Sequence, residues 1–441
     1  MFAYIMSGLR SLSRFCWLVA SVAPAWAQQS DPAAALPKWL QIHAEHRVRY
    51  ETLDRRYRLG EQGSDQQLPY RHRLQMGLQN ESFRFYSELQ DARAALTDAG
   101  STVNLNHVGR ARVQQLFVGY NRKKLFGSPA GFSIQAGRVS PDFGNRRLIA
   151  RNLYRNTTNA FDGMIGSIGT DKWKIQPIVL HPLLYETSGD RLDRQYRGAR
   201  LTGAYFTYLP VKRLQAEMYT LRLTDGVAAR SPRRLTTAGG RLLLSAPARG
   251  GWESEWEGTW QTGSVGRLEH WAWFQHWAIG HSWAAARFRP RWSFLYDYAT
   301  GDADPNDNRS GAYDTLFGAR RFEYGPTGIH GLFGRSNINS PGEQFVVRPW
   351  RPVEAIILHR MMWLAQSRDR WRPNGVGDPT GAAGRYVGQM AEFRVRYRWR
   401  RFFEFDGGYV LFREGSFVQK AMGRPRGGTA HYFFVGSEWR L

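Results

Sequence analysis

The chain of 441 residues carries 61 Lys and Arg against 37 Asp and Glu, a formal charge of +24, and only seven of the 61 are Lys. Charged residues at 22% and hydrophobic residues at 42% exclude a disordered chain. The negative mean hydropathy, with no later apolar run of about 18 residues, excludes a helical membrane protein.

The N-terminus reads as an export signal. Arg10 and Arg14 form a basic start, Phe15 to Ala23 an apolar stretch, and Ala25-Trp26-Ala27 a small-residue cleavage site, so residues 1–27 are expected to be removed. The single cysteine, Cys16, leaves with them. The remaining 28–441, expected to be a single domain, can use neither disulfides nor thiolate-bound metal.

Period-two alternation then recurs to the C-terminus. It predicts strands at 42–57, 70–79, 82–93, 113–121, 131–140, 160–169, 172–181, 200–209 and 213–224. The second half continues at 234–245, 252–262, 267–279, 284–300, 343–350, 354–367, 386–399, 402–417 and 430–441. The clearest case is Phe393, Val395, Tyr397 and Trp399 interleaved with Arg394, Arg396, Arg398 and Arg400. Two faces this different require two solvents: a second sheet and water in a sandwich, lipid and an aqueous lumen in a membrane barrel.

The connections separate those two readings. Asn80-Glu81, Thr170-Asp171, Pro210 to Lys212, Arg351 to Val353 and Arg400-Arg401 are tight, while 94–112, 141–159, 182–199, 301–342, 368–385 and 418–429 are long. Short periplasmic turns alternating with long outer loops belong to an outer-membrane barrel. The expected fold is therefore all-β: a transmembrane antiparallel β-barrel of about 18 strands, both termini periplasmic, in the outer membrane of a Gram-negative cell. Trp252, Trp256, Trp260, Trp271 and Trp439 fall on outward positions, as aromatic girdles against lipid would. By parity the lumen receives Arg47, Arg49, Arg84, Arg287, Arg289, Arg291, Arg394, Arg396 and Arg398, and rings of Arg in a pore select anions. Some of these guanidiniums would sit in lumenal ion pairs, but 61 basic against 37 acidic residues leaves many without partners.

Several stretches taken in order also resemble the alginate export family of outer-membrane porins. They are Glu88-Leu89-Gln90-Asp91-Ala92-Arg93, Gly137-Arg138, Phe143-Gly144, Arg146-Arg147-Leu148-Ile149 and Asn159-Ala160-Phe161-Asp162-Gly163. Tyr298-Ala299-Thr300-Gly301-Asp302 and the stretch from Tyr397-Arg398 through Gly408-Tyr409 to Phe417 complete the set. The resemblance implies an eighteen-strand barrel exporting an anionic polyuronate through an Arg-rich constriction with loops gating its ends. It marks Arg138, Arg151, Arg155, Asp162, Arg394 and Arg396 as the positions forming or buttressing that constriction. The partners it implies are the anionic polysaccharide, outer-membrane lipid and periplasmic export components. A small-anion porin is the alternative.

Other classes find little support. G-x-S-x-G, H-E-x-x-H and P-loop motifs are missing, so no enzyme is expected and no cofactor. Arg recurring at period two behind an export signal does not fit a nucleic-acid face. Asp302, Asp304, Asn306 and Asn308 have the opening spacing of a calcium loop, yet Asp307 stands where that loop needs Gly and Tyr313 where it needs Glu. A solvated acidic loop is the expected reading there.

Overall fold

The computed structural model describes residues 36–105, 107–185, 193–196, 198–225 and 231–441. The proposed signal at 1–27, with Cys16, lies outside the described residues. In the first half the strands are β1 (Leu40–Leu53), β2 (Asp65–Gln79), β3 (Phe83–Ala95), β4 (Gly109–Arg122), β5 (Gly131–Val139), β6 (Phe161–Gly169), β7 (Trp173–Leu184), the two-residue β8 (Arg194–Gln195), β9 (Arg200–Val211) and β10 (Leu214–Thr224). The second half has β11 (Arg233–Leu244), β12 (Gly251–Val265), β13 (Leu268–Ser282), β14 (Arg291–Ala299), the two-residue β15 (Arg309–Ser310), β16 (Ile338–Val347), β17 (Val353–Trp363), β18 (Tyr386–Trp399), β19 (Phe403–Glu414) and β20 (Thr429–Arg440). The two short pieces edge loops, leaving eighteen long strands.

Each long strand pairs antiparallel with its neighbours in sequence, and β1 closes on β20 from Glu45↔Arg440 to Leu53↔Tyr432. Closure leaves no unpaired backbone edge, which hydrocarbon could not solvate. β13 shows the two solvents: Trp271, Trp277 and Ile279 are exposed outward, while His270, Ala272, Phe274 and His276 are buried inward. Trp252 and Trp260 of β12 are likewise exposed.

The connections alternate as the sequence implies. Asn80 Oδ1 accepts the N–H groups of Ser82 and Phe83, and Thr170 Oγ1 that of Lys172, so side chains replace backbone partners in two of the tight turns. With both ends of the closed sheet on one rim, that rim carries mostly short turns, 123–130 and 283–290 being longer, and the other carries the long connections, including 96–108, 140–160, 300–337, 364–385 and 415–428, with the two-residue turn 266–267 as an exception. The connection 54–64 joins the long-loop rim, where the sequence had suggested a longer first strand.

One strand boundary moves with consequences. The strand expected at 284–300 begins only at Arg291, because 283–290 is a turn. Pro290 cannot donate to a ladder, its carbonyl accepts the Trp283 N–H, and Phe288 and Arg289 adopt φ of 67° and 44°, outside strand geometry. Arg287 and Arg289 are therefore exposed at the short-turn rim and do not face the lumen.

The buried core lies inside the barrel. The connection 300–337 folds inward with its short helix α1 (Arg321–Tyr324), and Tyr324, Ile329, Leu332 and Phe333 are all buried. Trp371 and the helix α2 (Ser416–Ala421) with Phe417 pack into the same interior. Gly328, at φ +82°, passes so close to the β1 wall that a Cβ would lie 3.0 Å from a Glu51 oxygen, so only glycine suits that place. A plug is thus supplied from within the barrel sequence.

Candidate functional site: an arginine-lined vestibule

At the short-turn end the lumen opens as a cavity of about 770 Å³. Thirteen arginines line it, Arg47, Arg49, Arg71, Arg73, Arg146, Arg151, Arg291, Arg321, Arg348, Arg394, Arg396, Arg398 and Arg440, against five carboxylates, Glu45, Glu354, Glu404, Asp406 and Glu438. The strands supply most of them because inward positions alternate: Arg47 and Arg49 on β1, Arg71 and Arg73 on β2, Arg394, Arg396 and Arg398 on β18. The inner floor is Arg146 and Asn152 to Tyr154 of one loop with Ala319, Arg321 and Phe322 of another.

Ion pairs hold most of these guanidiniums in place. Arg394 meets Asp406 at 2.6 Å, Arg398 meets Glu404 at 2.9 Å, and Glu354 is shared between Arg348 and Arg396. Glu45 is shared by Arg71 and Arg73, and Glu88 by Arg73 and Arg151. Arg49 pairs with Glu51, Arg291 with Glu253, Arg321 with Glu392, and Arg440 with Glu438. Eleven of the thirteen thus draw on nine carboxylates, and several share one. Arg47 instead donates to the carbonyls of Leu153 and Arg155 at 2.8 and 2.9 Å. Arg146 is half-buried with its guanidinium 4.9 Å from the Phe322 ring centre, and no carboxylate pairs with it among the described residues. The wall is rigid, because the pairs cross-link neighbouring strands, and it remains net positive.

The floor is fixed from behind by a buried hub. Arg147, adjacent to Arg146 but turned away from the cavity, bonds Glu257 and Glu323 at 2.5 Å and Glu255 at 2.6 Å. Arg335 meets Glu323 at 2.5 Å and donates to the Ala319 carbonyl. Burial raises the Glu323 carboxyl, but Arg147 and Arg335 outweigh it and hold that carboxyl below its ordinary range. On the wall, Asp297 takes His276 at 2.8 Å and Arg360 at 2.5 Å. Further along the loop, Tyr57 bonds His330 Nδ1 at 2.8 Å, and burial followed by the nearby Arg58 pushes that imidazole down to about 3.

His276, Asp297 and Glu323 also converge closely enough to invite a metal ion. Three guanidiniums, from Arg147, Arg335 and Arg360, already occupy the same carboxylates, so the donor set is a cation site filled by protein. Asp302 and Asp304 stand outside that convergent group: the Asp302 N–H donates to Asp369, and Asp304 Oδ1 accepts the Asn306 N–H.

The residues singled out from sequence fall into separate places. Arg47, Arg49, Arg151, Arg291, Arg394, Arg396 and Arg398 come together on the cavity wall. Arg84 is inward but lies over the rings of Tyr86 and Phe117, away from that wall. Arg155 stands behind the floor, its side chain on Asn159 and its carbonyl accepting Arg47 and Arg71. Arg138 and Asp162 pair with each other at 2.8 Å on the outward face. Their chain neighbours Val139 and Phe161 are the buried, inward ones, so parity turns Arg138 and Asp162 away from the lumen. Arg71, Arg73 and Arg440 were missed although their alternation is visible in sequence. Arg146 and Arg321 were missed because no strand parity governs a loop.

The profile of the alginate export family matches residues 38–432. The chain belongs to that family. No curated protein sequence matches it. Among solved structures, OpdK of Pseudomonas aeruginosa is similar with a TM-score of 0.61 at 9% identity, and OpdQ of the same organism with 0.60 at 10%, each over 91% of this chain and 98% of the other. OpdK with vanillate is similar at 0.58 and 9% identity, with the same coverage. At such identity these neighbours share the fold alone. Family and fold together make the protein an outer-membrane channel.

Proposed function

We propose that the protein is a passive, anion-selective channel through which an anionic polysaccharide, an alginate-like polyuronate, is exported. The short turns and both chain ends lie in the periplasm on this reading, so the vestibule receives the polymer from periplasmic export components. The observation that carries the proposal is the cavity wall, where thirteen guanidiniums meet five lining carboxylates in about 770 Å³. Guanidinium forks bind carboxylate with two donors and keep their charge at any working pH. Low-dielectric walls focus that positive field. A chain of carboxylates advances when each contact is favourable yet weak enough to pass it on, which a ladder of shared arginines provides. Export past the floor then requires the segment 319–337 to move.

The test is single-channel recording in a planar bilayer, with the reversal potential in a KCl gradient and titration of oligouronates. Anion selectivity, with block that deepens as the oligomer lengthens, is the expected result. A cation-selective or silent channel overturns the proposal. The packed loop half of the lumen favours a second reading, a pore for small carboxylates, and the vanillate bound by OpdK is of that class. Block that does not depend on oligomer length would select it.

A further inference from the structure

Three adjacent strands carry a cationic patch on the outside of the barrel that the lumen does not use. Arg200 opens β9, Arg222 lies near the end of β10, and Arg234 lies at the start of β11. All three are exposed. Their strand neighbours Leu201, Leu221, Leu223 and Leu235 are the buried inward ones, so parity places the three arginines outward. The register sets them together: Thr224 pairs with both Arg200 and Arg234, and Arg222 pairs with Thr202 and Thr236. Adjacent strands are about 4.8 Å apart, so the Arg200 and Arg234 backbones are about 10 Å apart with Arg222 between and one step lower.

None of the three has a carboxylate partner among the described residues. Two outward arginines elsewhere near the same rim are neutralised, Arg93 by Asp91 and Arg138 by Asp162. Hydroxyls are interleaved with the patch, and away from the rim the surface turns apolar. Thr202, Thr236 and Thr262 stand level with Arg222 in the strand register, Thr220 lies one alternation lower beside Trp260, and further from the rim Met218 and Leu242 are exposed apolar side chains. Guanidiniums nearest the rim, hydroxyls among and just below them, and apolar side chains beyond match one partner: an amphiphile with phosphates uppermost, hydroxyl or amide groups beside and beneath them, and acyl chains at the bottom. An Arg on a lipid-facing wall is tolerated only near the interface, where anionic headgroups answer its charge.

We propose that the outward face of β9–β11 at the long-loop rim is a docking site for a phosphorylated saccharolipid of the outer leaflet. The guanidiniums take its phosphates and the threonines its sugar hydroxyls and amides. The site is independent of what passes through the lumen, so the channel proposal can fail while this one stands.

The test uses the detergent-purified full chain, with native mass spectrometry counting retained lipid after addition of deep-rough lipopolysaccharide. Its enzymatically dephosphorylated form, phosphatidylglycerol and inorganic phosphate serve as separate arms. The wild-type chain is expected to retain the phosphorylated saccharolipid over the other three. In a variant combining Arg200→Gln, Arg222→Gln and Arg234→Gln, retention should fall by about tenfold or more. The variant Arg213→Gln, changed at the opposite rim where the side chain donates to Ser245 and Trp252 carbonyls, should bind as wild type. Heat-modifiable gel mobility verifies that each variant is folded. Equal retention by the triple variant, equal retention of the dephosphorylated lipid, or equal retention of phosphatidylglycerol would each overturn the proposal.

Discussion

The two halves of the lumen share one wall and differ in every other respect. Toward the short turns, inward positions of β1, β2 and β18 hold arginines around an open cavity. Toward the long loops, the same barrel is filled with protein: Tyr57, Leu332, Phe333, Trp371, Phe412 and Phe434 are buried in one core cluster, and Arg335 and Arg360 are buried over the Tyr324 ring. The loops make the difference. Where a loop folds inward with glycines and apolar side chains, the lumen becomes a protein core, and where none reaches, it stays an aqueous vestibule.

The strongest way to break this contrast is to unseat the loop. Glu323→Gln leaves Arg335 without its carboxylate in a buried place, and the loss of one partner of such a pair costs about 3–5 kcal/mol. The expected outcome is a several-fold rise in single-channel conductance, with hydrogen exchange increasing in 319–337. Unchanged conductance with a folded barrel would show that the loop is not the barrier.

A smaller effect tests the open half. Replacing Arg394, Arg396 and Arg398 together by Ser should lower the anion-to-cation permeability ratio by on the order of threefold, read from the reversal potential. The same change at Arg287 and Arg289, which stand on an exposed turn, should leave it where it was. A matching fall in both variants would show that overall charge, and not the vestibule, sets selectivity.

The smallest predicted effect comes from acidity. His330 is held down to about 3 and His107 to about 4, mainly by burial, against an ordinary value near 6.5. Both are neutral in the packed state and take up protons when the loops unpack. The packing they favour is therefore complete above about pH 6.5 and is lost progressively as pH falls toward their depressed values. Exchange in 319–337, corrected for intrinsic rate, should speed up between pH 7 and pH 4.5. His330→Gln should flatten that dependence.

The wall was far more legible in the sequence than the filling. Strand alternation is a local record of two solvents, so eighteen strands and the cavity positions of Arg47, Arg394 and Arg396 could be read directly. The same local rule already turned Arg138 outward, since it shares parity with Phe132, Ile134 and Ala136. Family resemblance pointed the other way, and the geometry follows parity. Arg287 and Arg289 were misplaced because a turn before Pro290 keeps the alternating letters of a strand without its backbone angles. The floor residues Arg146 and Arg321 depend on contacts between loops distant in sequence, such as the Ala319 N–H on the Arg146 carbonyl, which no periodicity encodes.

The seam between β1 and β20 adds a consequence for biogenesis. The first and last strands close the cylinder, from Leu53↔Tyr432 down to Glu45↔Arg440. Joining them requires the longest loop the chain can form, and that entropy is lost before the joining contacts compensate it. Until then the barrel is an open sheet, through whose gap a folded segment can enter sideways. Afterwards only the two mouths remain. The order of events, loop first or seam first, thus decides whether the packed half of this protein is assembled like a soluble core or threaded like a cork.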